Sequence, residues 1–218
     1  KDLSNSNAFV YHLGDSHCLS FAHQYIDIGG LSYRIFPKIT FGAKAFHFSR
    51  KANDEFKSIT KENFNTIPEY SKVFISFGEI DCRPDEGFIT AAMKLSSSIE
   101  DLIADTVRGY FDWFSKQNML KNHNLFFFNV PAPIFDEKYD AETNSKVAST
   151  IKIFNEMMRQ QVLDRNFNLI DVEDGKKNID INQIRNLISN LNKSSFNKSP
   201  RFVLIDNINL LNLNSVNA

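Results

Sequence analysis

Short runs of β-branched and aromatic residues recur along the chain, separated by longer stretches of mixed polarity. These runs predict strands over residues 8–13, 32–36, 73–77, 125–130, 167–172 and 202–205. Most of the runs do not alternate apolar with polar residues, which is typical of strands that are covered on both faces. The pattern therefore predicts a buried, mostly parallel sheet of about five strands.

Apolar residues at three- and four-residue steps predict helices between these strands. The stripes span residues 99–114, 147–162 and 181–191, and residues 18–26, directly after the first strand, have the same spacing. Alternating strands and helices favour an α/β fold, in which ligands bind beyond the carboxyl ends of the strands. Candidate chemistry is therefore sought where the predicted strands end.

Composition limits the class of protein. The chain has 218 residues, 25 Lys and Arg against 26 Asp and Glu, and two cysteines, which indicates a single globular domain over residues 1–218. The balanced charge argues against nucleic-acid binding, and no apolar run reaches the roughly 18 residues of a membrane span. Residues 1–7 are polar and lack the apolar core of a secretion signal, so the expected compartment is the cytoplasm.

The first predicted strand leads directly into Gly14, Asp15, Ser16 and His17. A serine at such a strand-to-helix turn is a candidate nucleophile, because backbone N–H groups of the starting helix can stabilise an oxyanion. The alternative is that Ser16 only caps the helix and Gly14 only permits the turn.

The third predicted strand ends in a second polar segment, which contains Gly78, Glu79, Asp81 and Arg83. The acids and the arginine stand where a ligand site would lie, and a guanidinium would favour a carboxylate or phosphate on the ligand. The alternative is a purely structural turn in which Asp81 and Arg83 pair locally.

Taken together, the segments resemble conserved blocks of the SGNH or GDSL hydrolase superfamily. Gly14-Asp15-Ser16 matches its first block, and residues 78–81 stand where its third block, Gly-x-Asn-Asp, belongs, with Ile80 in place of the asparagine. Residues 206–209 resemble its last block, Asp-x-x-His, with Asn209 in the histidine position. The resemblance implies a three-layer α/β/α flavodoxin-like fold. It also implies Ser16 as nucleophile, Gly42 as a second oxyanion donor, and Asp206 with residue 209 as the base dyad.

The implied activity is that of a serine esterase or O-acyltransferase on an acylated carbohydrate, commonly acetylated, with no metal or cofactor. An asparagine amide cannot accept the serine proton near pH 7, so Asn209 cannot act as general base. His17 is expected to be a poor substitute, because neighbouring helical positions point in different directions. Two interpretations remain: a base-deficient esterase, or an inactive module that binds a glycan or a protein partner. The oligomeric state is not predicted.

Overall fold

The computed structural model describes residues 8–28, 31–133, 137–172 and 202–204. These residues form a sheet of seven strands rather than about five. The strands are β1 (Ala8–Gly14), β2 (Tyr25–Ile28), β3 (Leu31–Ile39), β4 (Lys72–Ser76), β5 (Asn124–Phe128), β6 (Asn168–Asp171) and β7 (Phe202–Leu204).

Helices occupy most of the described connections between these strands. They are α1 (Ala45–Ser49), α2 (Glu55–Asn65), α3 (Phe88–Leu95), α4 (Ile99–Asn118) and α5 (Ala141–Arg165). Short 3₁₀ helices span Ser16–Phe21 and Ile80–Cys82. Within the described part of the chain, no helix combines the length and the apolar character that a membrane crossing requires.

The strand order is β2-β3-β1-β4-β5-β6-β7, and every neighbouring pair is parallel except β2 with β3. Apart from the antiparallel edge strand β2, the order is the one expected of a flavodoxin-like sheet, with the second parallel strand outside the first. The predicted α/β class with a mostly parallel sheet is confirmed. The carboxyl ends of β1, β4, β5 and β6 consequently meet at one edge.

The prediction of a helix over residues 18–26, directly after β1, is wrong. The chain forms only a short 3₁₀ helix there, turns at His23 with a positive φ of 62°, and continues as β2. In β2, Ile26 and Ile28 are buried while Tyr25 is exposed, an alternation with period two that over so few residues resembles a helical stripe. The antiparallel pairing with β3 makes these residues a strand rather than a helix.

Apolar side chains pack on both faces of the sheet. The larger cluster contains residues from all five described helices, and Tyr110, Phe111 and Phe114 of α4 are fully buried in it. The smaller cluster, on the other face, includes Val10 and Phe74. Burying each large α4 side chain contributes about 2 kcal/mol, so this face fixes the helices on the sheet. The predicted stripe over residues 181–191 lies outside the described residues.

Candidate functional site

A cavity of about 490 Å³ lies beyond the carboxyl ends of β1, β4, β5 and β6, and we call it the edge cavity. One wall is polar and consists of residues that follow β1 and β4. The opposite wall is mainly apolar and consists of residues that follow β5 and β6 together with the first half of α5. Lining residues of the two walls include Asp15, His17, Glu79, Arg83, Val147 and Ile151.

Asp15 and His17 form a hydrogen-bonded pair in the polar wall. The Asp15 carboxylate is 1% exposed and accepts from the backbone N–H of His17 at 2.8 Å. It also contacts His17 Nδ1 at 2.8 Å, which makes Nδ1 the protonated ring nitrogen in the neutral form. This hydrogen bond raises the pKa of His17, and the other nitrogen, Nε2, lies 3.9 Å from Glu79 Oε2. An imidazole is therefore oriented at the cavity by a buried carboxylate.

Arg83 lies in the same wall but is already paired. Its Nε contacts both carboxylate oxygens of Glu79 at 3.1 Å, and Nη2 donates to Glu79 Oε2 at 2.8 Å. Nη1 donates to Glu86 Oε1 at 2.8 Å. The geometry argues against the expectation that Arg83 attracts an anionic ligand, because two carboxylates already compensate its charge.

Ser16 begins the first 3₁₀ helix, and its side chain is exposed. It stands between Asp15 and His17, both of which line the edge cavity, but it is not itself among the described lining residues. The structure therefore places Ser16 between two lining residues in the chain but not in the lining itself. The N–H of His17 is occupied by Asp15.

Asp81 was expected to contact ligand, and the structure gives it a different partner. It is 2% exposed, and its carboxylate accepts from the backbone N–H of Ala45 at 2.7 Å and of Phe46 at 3.0 Å. These groups belong to the first turn of α1, which has no intrahelical acceptor for them. Burial raises the pKa of Asp81 to about 7. Asp81 thus holds α1 against the segment after β4 and does not line the cavity.

The two predicted glycines also lie outside the cavity lining. Gly78 has φ 128°, and a Cβ there would lie 2.6 Å from Phe154 Cζ, so glycine lets α5 pack closely against the end of β4. Gly42, with φ 70°, lies in an exposed turn before α1, where a Cβ would meet only Phe56 at 3.7 Å. The predicted base dyad, Asp206 with Asn209, lies outside the described residues.

Sequence reasoning missed a polar pair inside the cavity. His12 Nε2 lies 2.9 Å from Ser76 Oγ, and the ring stacks on Phe128 with centroids 5.1 Å apart. The sequence carried a signal for this pair, because His12 and Ser76 are polar residues within the predicted apolar strands 8–13 and 73–77. Burial lowers the pKa of His12 to about 3, so its imidazole is neutral at pH 7 and too weak a base to activate Ser76.

Metal ligation is the remaining chemistry that this wall offers. One ligand atom each from Asp15, His17 and Glu79 lies within 4.8 Å of the others. However, both carboxylate oxygens of Glu79 contact Arg83. Oδ1 of Asp15 already has two contacts with His17, one from the backbone N–H and one from Nδ1. Cys18 and Cys82 are buried, and burial raises the pKa of the Cys18 thiol to about 12, so it is not an anionic ligand. We therefore assign no metal to these residues.

Comparisons with known proteins give fold-level similarity only. No protein-family model matches the chain, and no curated protein matches it. Phospholipase A1 from Streptomyces albidoflavus NA297 is similar in structure, with 12% identity and a TM-score of 0.40 over 75% of this chain and 79% of that one. An extracellular lipase from Streptomyces rimosus is similar with 10% identity and a TM-score of 0.41, over 76% of this chain and 80% of that one. The function proposed below therefore rests on the site and on the resemblance of the sequence blocks.

Proposed function

We propose that the protein is an SGNH-type serine ester hydrolase or O-acyltransferase that acts on an acylated carbohydrate, with Ser16 as the nucleophile. The observation that carries the proposal is the Asp15–His17 hydrogen bond in the lining of a cavity, with the exposed Ser16 between these two residues in the chain. A nucleophile, an imidazole and a carboxylate that orients it are the parts a serine hydrolase needs. The carbohydrate and the acetyl group rest on the sequence resemblance alone.

In the proposed reaction, Ser16 Oγ forms a bond to the acyl carbon, and its proton passes to His17 Nε2 through one water molecule. Asp15 stabilises the resulting imidazolium through its contact with Nδ1. The tetrahedral intermediate then breaks its bond to the leaving alkoxide, which takes the proton from Nε2. Water, or a hydroxyl of an acceptor sugar, cleaves the acyl–Ser16 ester by the same steps.

Hydrolysis of a neutral 4-nitrophenyl ester tests the nucleophile. Ser16→Ala is expected to lower kcat/KM by about 10³-fold or more, because it removes the attacking atom. Ser20→Ala is the matched control, since Ser20 lies on the same 3₁₀ helix and lines the cavity. Equal activity of the wild type and the Ser16→Ala variant would exclude Ser16 as the nucleophile.

A second candidate function, an inactive glycan-binding or partner-binding module, is favoured by Asn209 in the place of the expected base. If the chain is an esterase that lacks its base, Asn209→His restores the histidine of the family's last block and is expected to raise kcat/KM by about 10²-fold. If neither form turns over an ester while a glycan raises the melting temperature, the binding function is correct.

A further inference from the structure

We propose that one face of the sheet, where β1, β2 and β3 lie side by side, binds single-stranded nucleic acid. We call this surface the open sheet face, and its residues are Phe9, Tyr11, Tyr25, Arg34, Phe36 and Lys38. None of them lines the edge cavity, and the inference does not depend on the proposed ester chemistry. It follows from three features: an uncovered part of the sheet, the aromatic rings on it, and two cations without carboxylate partners.

Alternate residues of β3 point to this face, and α2 covers it only near the carboxyl end of the strand. Thr40 Oγ1, just after β3, lies 2.9 Å from Thr60 Oγ1 of α2. Lys38 Nζ donates to Thr66 Oγ1, just after α2, at 2.9 Å. Phe36, two residues nearer to the amino end of β3, is 40% exposed. The sheet therefore stays open to solvent from Phe36 toward the amino end of β3.

Aromatic rings from neighbouring strands meet on the open sheet face. Tyr11 of β1 stands in register with Phe36 of β3, and their ring centroids are 6.1 Å apart. The ring of Phe9 lies 6.1 Å from the ring of Phe36 and 6.2 Å from that of Tyr11. Partly exposed rings that a sheet holds in fixed positions are surfaces on which unpaired nucleic-acid bases stack.

Two cations lie among these rings without a carboxylate partner. Arg34 is exposed and stands in register between Tyr25 of β2 and Phe9 of β1. Lys38 Nζ lies 5.4 Å from the centroid of the Phe36 ring. Within the part of the chain that the structure describes, neither cation forms an ion pair, in contrast to the arginine of the edge cavity. Their charges are therefore available to phosphate groups of a ligand.

A single strand of nucleic acid supplies both groups that this surface can bind, namely bases with free π faces and a phosphate at every nucleotide. In a duplex the faces of the bases are stacked on one another, and a neutral sugar chain would leave both cations without partners. The net charge of −1, from which the sequence argues against nucleic-acid binding, is a sum over the whole chain. Binding depends instead on the charges that lie together on one surface.

Fluorescence anisotropy with three labelled anionic probes tests the assignment on the wild-type protein. The probes are oligothymidylate of about twelve nucleotides, the same backbone without bases, and polygalacturonate, an acidic sugar chain. We expect oligothymidylate to bind about tenfold more tightly than either other probe, because only its bases stack on the rings. Equal or tighter binding of the abasic strand or of polygalacturonate, or no binding of oligothymidylate, would overturn the proposal.

A pair of phenylalanine variants locates the binding. Phe36→Ala removes the ring that contacts both Phe9 and Tyr11, and is expected to weaken binding of oligothymidylate about tenfold. Phe46→Ala is the matched control, because Phe46 of α1 is 41% exposed and has the Arg50 guanidinium 5.5 Å from its ring. Equal binding by the two variants would contradict the assignment. The comparison of probes remains decisive if Phe36→Ala fails to fold.

Salt dependence tests the role of the two cations. Each phosphate contact contributes about −0.7 to the slope of log K against log salt for a single strand, so two contacts predict a slope of about −1.4. Arg34→Ala should reduce the magnitude of this slope by about half, whereas Arg108→Ala, which removes an exposed arginine paired with Asp105 on α4, should leave it unchanged. A slope that Arg34→Ala does not change would mean that the strand binds elsewhere on the protein.

Discussion

The segments that follow β1 and β4 look alike in sequence and differ in the structure. Each has a glycine at or near the end of its strand, at least one acidic side chain after it, and a buried cysteine. After β1, Ser16 and His17 are exposed, and His17 lines the cavity. After β4, Asp81 turns inward and accepts two backbone N–H groups of α1. Both segments line the edge cavity, but in the second Asp81 also joins the sheet to α1.

The difference lies in what packs against each segment. After β4, the first turn of α1 needs acceptors for its N–H groups, and the ring of Phe154 fills the space above Gly78. After β1, Asp15 instead finds its partner within its own segment, in His17. Asp81 is therefore withdrawn from the cavity by a neighbouring helix, whereas Asp15 remains in the lining.

Adding a methyl group at Gly78 is expected to have the largest effect on stability. The new Cβ of Gly78→Ala would lie 2.6 Å from the Phe154 ring and would occupy a backbone with φ 128°, so we expect a loss of about 3 kcal/mol. Gly42→Ala is the matched control with φ 70° and open space, and should cost about 1 kcal/mol. If urea unfolding shows that Gly78→Ala and Gly42→Ala lose equal unfolding free energy, the contact with Phe154 is unimportant.

Removing the Asp81 carboxylate is expected to have the next largest effect. Asp81→Ala leaves two N–H groups of α1 without their acceptor and should cost about 2 kcal/mol, whereas Ser16→Ala, at an exposed position, should change stability by less than about 0.5 kcal/mol. A larger loss for the Ser16→Ala variant would contradict the division between the two segments.

The loss at Asp81 also depends on pH. Its pKa is about 7 in the folded protein, above the value of 3.8 for an unperturbed aspartate, which we take for the unfolded chain. A carboxyl group whose pKa is raised by folding stabilises the protein fully at pH values below its unfolded pKa. This stabilisation is lost as the pH rises from the unfolded pKa to the folded pKa. The difference in unfolding free energy between the wild type and the Asp81→Ala variant should therefore decrease between about pH 4 and pH 7. A difference in unfolding free energy that stays constant between pH 4 and pH 7 would contradict the raised pKa of Asp81.

The smallest expected effect concerns the Asp15–His17 pair. The Asp15 carboxylate raises the pKa of His17, so Asp15→Asn should lower that pKa, measured by NMR titration of the imidazole. The stability that this shift contributes is present below about pH 6.5 and is lost as pH rises through the folded pKa. Asp15→Asn should therefore destabilise more at pH 6 than at pH 9. An unchanged His17 titration in the variant would show that the pair does not form.

Hydrophobic patterning predicted much of the fold because burial acts on local stretches of side chains. The runs that became β1, β4, β5 and β6, and the stripes of α4 and α5, carry enough apolar residues to specify their own burial. The stripe after β1 failed because four residues of β2 satisfy both periods, and only the neighbouring strand β3 decides between them. That His17 is a poor base for Ser16 stays a prediction; the structure adds that its ring contacts Asp15 and lines the cavity.

The sequence by itself determined the class of fold and the placement of Ser16 at the end of the first strand, because both follow from residues close together in the chain. Tertiary structure alone decided that Asp81 binds α1, 36 residues away, and that His12 meets Ser76, 64 residues away. A charged or polar side chain has several possible partners, and the sequence does not say which one folding brings within 3 Å. Whether such a group serves structure or chemistry is therefore settled only when the sheet has assembled.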